Sequence, residues 1–278
     1  MLLEPQIKHR SVSQLNSYSA CGLCYLLKRV LRLPQSPAAW SIQGTAVHAA
    51  IETFERSRRT ADDETVLNRY REVWTEKVEA ALEAEGDLDA WMKSGNKRPE
   101  KDLEDRFARG LDQVRSYLLW VQTDPLTVWT LPDSGEPAVE VKFREPFGGV
   151  EVLGFIDLIM QDPRTGDLLV RDIKTGSKKP VGGFQLATYR WAVNDRYGVD
   201  CQWGDFWMGK DGKPSAPEYL GRFTRQQVNT WYQMMDEAES AEIYIPNPGD
   251  HCRTCDVARH CPQVGGTPPP GVPMLGTY

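Results

Sequence analysis

The sequence has no apolar run of the roughly 18 residues that a membrane-spanning helix requires. Its opening, MLLEPQIKHR, lacks the order of a signal peptide, in which a charged stretch precedes an apolar one. It also lacks an excess of positive charge, because 33 Lys and Arg residues stand against 39 Asp and Glu residues. These absences predict a cytoplasmic protein with no membrane partner, and they argue against a general nucleic-acid coat.

Acidic residues are absent from residues 5–51, although they are frequent elsewhere. This stretch carries five positive charges, at Lys8, Arg10, Lys28, Arg29 and Arg32. Hydrophobic residues make up 40% of the 278-residue chain, which is enough to bury a sizeable core and excludes global disorder. The sequence therefore predicts a folded acidic protein with one local basic stretch that can follow phosphates.

Over roughly the first 120 residues the apolar side chains recur with the period of a helix. Residues 11–33 predict a helix capped by Ser11 or Ser13, and residues 44–59 predict a second helix. Thr45 is the expected N-cap of the second helix. The charged stretch that follows predicts two long helices separated by an exposed loop.

The pattern then changes to an alternation of apolar and polar residues, which is typical of strands. Short turns separate three such runs and predict antiparallel strands over residues 138–147, 150–160 and 167–176. The remaining elements are expected to be two helices, at 182–198 and 225–242, and two strands, at 201–209 and near 218–224. We therefore predict an α/β fold in which helices flank a mixed sheet.

Two carboxylates and a lysine fall on neighbouring predicted strands. Asp172 and Lys174 are two residues apart, so both side chains leave the same face of one strand, and Asp157 lies on the strand before it. Taken alone, such residues also fit a weak ion pair on an exposed hairpin. Burial of the carboxylates is costly unless a cation compensates, and oxygen ligands suit Mg²⁺ or Mn²⁺. The pattern favours phosphodiester hydrolysis in which Lys174 aligns or deprotonates water.

Four further residues add to this constellation. His48 lies at the start of the second predicted helix, where the helix dipole keeps an imidazole neutral for metal ligation. Gln185 and Tyr189 lie on one helical face and can hydrogen-bond a phosphate or hold the lysine and the metal site. Glu140 is a weaker candidate for a third carboxylate because other glutamates lie nearby. Each of these residues alone also fits ordinary packing.

The combination is similar to the PD-(D/E)XK nuclease superfamily in its RecB-like exonuclease branch. The matching motifs are His48, GFID with Asp157, RDIKTG with Asp172 and Lys174, and QLATY with Gln185 and Tyr189. The resemblance implies that His48, Asp157 and Asp172 ligate the catalytic metal together with the Ile173 carbonyl oxygen. It also implies that Lys174 is the catalytic lysine and that Gln185 and Tyr189 form the trailing motif.

The six cysteines are unevenly distributed. Cys252, Cys255 and Cys261 fall within ten residues and supply three thiolates at chelating spacing. A fourth ligand has to come from elsewhere, and Cys201, alone beside an aromatic residue, is expected to be an inert core thiol. The residues by themselves also allow zinc, because histidines flank the thiolates, and a disulfide is the less favoured reading in a reducing compartment.

The segment SVSQLNSYSACGLCY resembles the opening motif of iron-sulfur RecB-like nucleases, such as the CRISPR adaptation nuclease and the AddB nuclease domain. Gly22 stands where that motif usually has proline, and Cys24 stands where it usually has a basic residue. The closing segment IPNPGDHCRTCDVARHCP is also similar to that of these nucleases. The resemblance implies a structural [4Fe–4S] cluster bound by Cys21, Cys252, Cys255 and Cys261, with Cys24 as the alternative to Cys21.

We therefore expect one nuclease domain with a restriction-endonuclease-like core over residues 1–265, and a Pro/Gly-rich tail over 266–278. A helical insertion is expected at about 55–125. The iron-sulfur module is expected to combine residues 11–33 with residues 246–264.

The expected function is that of a Mg²⁺- or Mn²⁺-dependent deoxyribonuclease, an exonuclease that acts on single-stranded DNA or duplex ends. Trp40, Tyr189 and Trp191 are candidates for stacking exposed bases. The alternative is a non-catalytic iron-sulfur or zinc-stapled module that binds DNA or a recombination partner. Recombination, repair, CRISPR adaptation and phage replication all remain open as the setting and the source of protein partners.

Overall fold

The computed structural model describes residues 9–180 and 183–268. The helices are α1 (Val12–Ala20), α2 (Gly22–Tyr25), α3 (Ala39–Arg56), α4 (Asp63–Glu85), α5 (Pro99–Val121), α6 (Phe184–Tyr197) and α7 (Arg225–Ser240). The strands are β1 (Thr127–Val128), β2 (Val139–Phe147), β3 (Val150–Gln161), β4 (Leu168–Lys174), β5 (Cys201–Met208), β6 (Lys213–Pro214) and β7 (Glu218–Tyr219). Lys8 and the part of the expected tail from position 269 onward lie outside the described residues.

The strands form one mixed sheet with the order β1-β3-β4-β5-β6, in which β2 also pairs with β3 and β7 also pairs with β5. β2, β3 and β4 pair antiparallel, as the sequence predicts. β4 and β5 pair parallel, because α6 carries the chain from the end of one strand to the start of the next. The predicted mixed sheet flanked by helices is confirmed, and it is consistent with a restriction-endonuclease-like fold.

Helices cover both faces of the sheet, and each face has its own hydrophobic core. Phe143 and Tyr232 lie in the core between the sheet and α1, α6 and α7. Val47 and Trp207 lie in the core between the sheet and α3, α4 and α5. β4 is buried along both faces, as expected for a parallel-paired strand that is covered on both sides. Within the described residues, no helix is both long enough and apolar enough to cross a membrane.

A buried arginine in β4 shows how this strand tolerates charge. Arg171 is 1% exposed, and its guanidinium donates two hydrogen bonds of 2.8 Å to the carboxylate of Asp205. A third bond of 2.9 Å goes to Asp124, and the guanidinium carbon lies 4.8 Å from the centre of the Trp120 ring. Since both partners are also buried, these contacts satisfy the charge and connect β4 to β5 and to the end of α5.

Two helix boundaries differ from the prediction. The first helix ends at Ala20 because Cys21 has an extended backbone, with φ −164° and ψ 107°. The second helix begins at Ala39, five residues earlier than expected, so Thr45 lies within it and is not its N-cap. The five residues before Gly44 contain no helix breaker and bury apolar side chains, which explains the longer helix.

Other boundaries follow the prediction more closely. Ser11 caps α1, since its hydroxyl accepts a hydrogen bond from Gln14 N at 3.2 Å. α4 and α5 lie in the expected helical insertion and are separated by the predicted loop. The strand expected near 218–224 is limited to β7, because a 3₁₀ turn follows it at Leu220–Arg222.

Two residues of the basic N-terminal stretch are paired with acidic residues near the C-terminus. Arg10 is buried and forms ion pairs with Asp236 at 2.5 Å and Glu239 at 2.7 Å. Lys28 forms an ion pair with Asp256. The expectation that this stretch forms a free basic face for phosphates is therefore wrong for both residues, since their charges hold the two ends of the chain together.

Candidate active site

The carboxylates and the lysine predicted from the sequence meet at the carboxyl end of β4. Asp157 in β3 lies beside this end, and its Oδ2 accepts a hydrogen bond of 2.7 Å from Ile173 N. Asp172 Oδ2 lies 2.6 Å from Lys174 Nζ. The two-residue spacing thus places Asp172 and Lys174 side by side, as the pattern predicts.

His48, Glu140 and Asp157 form a close group. We use the name acid pocket for these three residues and the neighbouring Asp172. One potential ligand atom from each of these three residues lies within 4.8 Å of the other two. His48 Nδ1 is 3.5 Å from Asp157 Oδ2, and His48 Nε2 is 3.0 Å from the Ile173 carbonyl oxygen. The structure therefore brings Glu140, the weaker candidate from the sequence, into the same group as the stronger ones.

The backbone at Glu140 is unusual for a strand residue. Its φ is +49°, in the left-handed region that non-glycine residues rarely adopt. β2 changes faces at this point, because Val139 lies in the core beside α3 and Val141 lies in the core on the other side of the sheet. Strained conformations of this kind concentrate at functional sites. Here the strained residue is the one whose carboxylate lies beside His48.

The position of His48 in its helix differs from the prediction, and so does the physical reason for its neutral ring. His48 lies in the middle of α3 and not at its start, so the helix dipole does not keep its ring neutral. Burial lowers the pKa of His48, which favours the neutral form that metal ligation needs. Gly44, one turn earlier, allows the end of β4 to come close, because a Cβ there would lie 3.2 Å from Thr175 Oγ1.

The three carboxyl groups are buried at a cost. Burial, followed by the charge of Asp172, raises the pKa of Asp157 well above its ordinary value. Burial raises the pKa of Asp172, although Lys174 acts in the opposite direction. Burial, with Asp157 next, raises the pKa of Glu140 to about 7. Their ionised forms are therefore destabilised unless a cation lies between them.

The residues of the acid pocket fit a divalent cation. Asp172 Oδ2 is buried and, apart from its ion pair with Lys174, has no partner among the described residues. A pocket of about 10 Å³ lies between His48, Glu140 and Asp157, which is about the space of one water molecule or ion. Carboxylate oxygens with one imidazole are suitable ligands for Mg²⁺ or Mn²⁺.

Gln185 and Tyr189 also reach this site, as the sequence predicts. Gln185 Nε2 donates to Asp172 Oδ1 at 2.5 Å and lies 3.1 Å from the Tyr189 hydroxyl. Tyr189 is 6% exposed, so the expectation that it stacks an exposed base is wrong. Trp191 is partly buried against the core and donates to the Phe223 carbonyl at 2.9 Å. Trp40 is partly exposed, and its ring stays a candidate for stacking.

Two buried glutamines that the sequence pattern does not indicate lie behind Lys174. Gln43 Nε2 donates to Gln113 Oε1 at 2.7 Å, and Gln113 Nε2 donates to the Thr175 carbonyl at 3.0 Å. Both side chains are almost fully buried, so this chain of amides fixes the backbone directly after the lysine. Glutamines on amphipathic helices are mostly exposed, and their positions carry no pattern that would have identified these two.

A second site, which we call the thiol pocket, lies where the N-terminal and C-terminal segments meet. It is lined by His251 and by apolar residues, together with five cysteines: Cys21, Cys24, Cys252, Cys255 and Cys261. Cys24 Sγ lies 3.5 Å from Cys255 Sγ. Since both Cys21 and Cys24 line the pocket, the geometry keeps both as candidates for the fourth ligand.

Backbone N–H groups point at the sulfurs of the thiol pocket. Cys24 N and Asn247 N donate to Cys21 Sγ at 3.5 and 3.4 Å. Gly22 N donates to the Ile245 carbonyl at 2.9 Å, and a Cβ on Gly22 would lie 2.7 Å from Ile245 N. A proline would have neither this N–H nor this space, which explains why the chain has glycine at this position of the motif.

The cysteine thiols differ in their pKa values. A hydrogen bond from Cys24 lowers the pKa of Cys255 to about 6, which favours a thiolate in the thiol pocket. Cys201 is fully buried in the core beneath α6, and burial raises its pKa to about 12. The prediction that Cys201 is a core thiol is confirmed.

Comparison with known proteins agrees with this geometry. The family model of the PD-(D/E)XK nuclease superfamily matches residues 9–262. The Gene 69 protein of Mycobacterium phage D29 is 36% identical over 262 residues, which cover 91% of this chain and 96% of that protein. The Gene 69 protein of Mycobacterium phage L5 is 34% identical over 280 residues, with the same coverage of each chain. The chain therefore belongs to the PD-(D/E)XK nuclease superfamily, which implies a nuclease that binds DNA and works with a divalent metal ion such as Mg²⁺.

Proposed function

We propose that this nuclease is a Mg²⁺- or Mn²⁺-dependent exonuclease that cleaves single-stranded DNA or the ends of duplex DNA. The observation that carries the proposal is the close group of His48, Glu140 and Asp157 beside the ion pair of Asp172 and Lys174. Buried carboxylates with raised pKa values have few structural uses, but they are what a cation site requires.

Each residue has a distinct role in this proposal. The metal would be held by His48, Asp157, Asp172 and the Ile173 carbonyl oxygen, with Glu140 as a further carboxylate. A bound divalent ion supplies Lewis-acid stabilisation of the charge that develops on the phosphate. Lys174, whose ammonium pairs with Asp172, aligns the attacking water, and Gln185 holds the Asp172 carboxylate in place by hydrogen bonding.

The exonuclease assignment rests on the order of motifs that this chain shares with RecB-like nucleases, from His48 to Tyr189. The biological setting is supported by different evidence, since both relatives are phage proteins. Among the settings that the sequence leaves open, we therefore favour phage replication or recombination over cellular repair and CRISPR adaptation.

We also propose that the thiol pocket binds a [4Fe–4S] cluster with a structural role. A tetrahedral zinc ion, with Zn–S bonds of about 2.3 Å, brings its thiolates within about 4 Å of one another. Cys24 and Cys255 satisfy that spacing, but among the described residues the third donor within 4.8 Å of both is Asp256 and not a thiol. Thiols that surround a pocket more widely suit a larger cluster.

Spectroscopy of protein purified without oxygen tests the cluster. We expect a brown protein with broad visible absorbance and about four iron atoms per chain, as a [4Fe–4S] cluster requires. Cys252→Ser should lose this absorbance, while Cys201→Ser should keep it because Cys201 lies in the core. A colourless preparation loaded with zinc would contradict the proposal.

Cleavage of end-labelled DNA tests the enzyme. Lys174→Ala should reduce Mn²⁺-dependent degradation of single strands by at least about 100-fold, because the activated water is lost. The matched control is Lys213→Ala, which removes an exposed lysine from β6. Comparison of 5′-labelled and 3′-labelled strands gives the polarity. Undiminished cleavage by Lys174→Ala would overturn the site, and DNA binding without cleavage by the wild type would favour the non-catalytic module.

A further inference from the structure

A groove of about 280 Å³ lies beside the acid pocket and is not used by the residues that would hold the metal. One wall is the last turns of α1, with Asn16, Ser19 and Ala20, and the other is the start of α6. Phe206 of β5 forms the floor. The groove is far larger than the space between the metal donors, and it approaches the size of small-ligand sites.

The groove lies next to the proposed reaction centre, and the Gln185 side chain separates the two. Gln185 lines the groove, and the same amide nitrogen donates to Asp172 Oδ1 at 2.5 Å. A phosphate at the metal donors therefore lies one side chain away from the groove. The part of the substrate that reaches the groove has to be directly attached to that phosphate, which means the sugar and base of an adjacent nucleotide.

The side chains of the groove suit a base and its phosphate. Phe184 is partly exposed in one wall, and base–aromatic stacking is a sequence-tolerant contact. The Asn16 amide is exposed and has no hydrogen-bond partner within the described residues, so its donor and acceptor are free for the edge of a base. Two ion-paired lysines lie near the floor of the groove, since Lys174 Nζ and Lys179 Nζ are each 5.9 Å from the centre of the Phe206 ring.

We propose that this groove is a subsite for one unpaired base next to the cleaved phosphate. A base within a duplex is stacked and paired, and it enters a separate groove of this size only if it leaves the helix. The subsite therefore gives the enzyme its requirement for a single strand or a frayed end. This inference rests on the proposed nuclease activity, and it adds the residues that select the strand.

The binding experiment uses a matched pair of charge variants of the full-length protein. Ser19→Glu places a carboxylate in the groove, where it obstructs the base and repels the phosphate. Ser13→Glu adds the same charge to α1 about 9 Å earlier along the helix, on a different face and outside the groove. We expect Ser19→Glu to weaken binding of fluorescent oligothymidylate without divalent ions by about tenfold, and Ser13→Glu to leave it near the wild-type value.

A series of oligothymidylates with one abasic position tests the same subsite without mutation. We expect binding and cleavage by the wild type to fall when the missing base is the one next to the cleaved bond, and Ser19→Glu to lose this dependence on position. Equal affinity of Ser19→Glu and Ser13→Glu, or an abasic series with no positional effect, would overturn the subsite. If positional binding is present but no DNA is cleaved with Mg²⁺ or Mn²⁺, the nuclease proposal fails and the subsite stands.

Discussion

The acid pocket and the thiol pocket each join distant parts of the chain, but they are built on different kinds of backbone. The donors of the acid pocket lie on α3, β2, β3 and β4, whose backbones are held by helical and sheet hydrogen bonds. The C-terminal donors of the thiol pocket lie on or beside short 3₁₀ turns, at Asp250–Thr254 and Ala258–His260. Regular elements can hold carboxylates together against their repulsion, whereas turns need a bound group to hold them.

The two pockets therefore have opposite relations to stability. The acid pocket carries carboxyl groups whose pKa values are raised by burial, so it costs stability when no metal is bound. In the C-terminal turns of the thiol pocket, the fully buried residue is Val257. The position of these turns otherwise depends on contacts such as the ion pair between Arg259 and Glu85. We expect a ligand in the acid pocket to serve chemistry and a ligand in the thiol pocket to serve folding.

The largest expected effect separates activity from stability in the acid pocket. Asp157→Asn removes a charge that the metal site needs, and we expect Mn²⁺-dependent cleavage to fall by about 1,000-fold. The melting temperature of the metal-free protein should stay the same or rise, because the buried charge is gone. Quantitative gel assays and thermal melts measure the two effects. A large loss of stability with this variant would break the contrast between the pockets.

The next largest expected effect is a loss of stability, which tests whether the thiol pocket alone holds the two ends of the chain together. Arg10→Ala leaves Glu239 buried without its cation, with a Tyr25 hydroxyl at 2.6 Å as its remaining partner. We expect the free energy of unfolding in urea to fall by about 3 kcal/mol.

The control for this prediction is Arg144→Ala, which breaks an exposed ion pair with Glu151. That variant should change the free energy of unfolding by less than about 1 kcal/mol. If Arg10→Ala is equally mild, the ion pairs contribute little and the thiol pocket carries the junction.

A smaller effect concerns the amides behind Lys174. Gln113→Leu removes the hydrogen bond to the Thr175 carbonyl, so the backbone after the lysine is less well fixed. We expect kcat to fall by about tenfold, with KM for DNA almost unchanged, because Gln113 lies behind the strand and not in the groove. Steady-state kinetics on labelled single strands measure both constants. A change in KM alone would show that Gln113 affects DNA binding and not the position of the lysine.

The smallest effect is a gain in stability. The pKa of Glu140 is raised to about 7 by burial, so the folded metal-free protein holds a proton that the unfolded chain releases above about pH 4. Ionisation of Glu140 therefore lowers stability as the pH rises through this range. Glu140→Gln should raise the free energy of unfolding by about 1 kcal/mol at pH 8, allowing for solvent screening, and the gain should shrink toward pH 4.

The comparison variant is Glu145→Gln on the same strand, which we expect to change unfolding by less than about 0.5 kcal/mol at either pH. Addition of Mn²⁺ should make the wild type more stable than Glu140→Gln, which reverses their order of stability, because the ion compensates the charge that the variant lacks. If Mn²⁺ stabilises both proteins equally, Glu140 is not a ligand.

The sequence by itself determined the features that depend on short spacings. The alternation of apolar residues predicted the antiparallel strands β2, β3 and β4, because the period of two is a property of each strand alone. The two-residue spacing placed Asp172 beside Lys174, and the four-residue spacing placed Gln185 beside Tyr189. Each of these relations is fixed by local backbone geometry and needs no knowledge of the rest of the chain.

The tertiary structure decided the relations between residues that are far apart in the chain. It moved the start of α3 to Ala39, brought Glu140 to His48 through a change of face in β2, and buried Gln113 behind the catalytic lysine. It also paired Arg10 with Glu239, which made that residue of the basic stretch part of a buried junction. These contacts depend on how helices pack on the sheet, and that packing reflects the burial of many apolar side chains at once and not the spacing of any few.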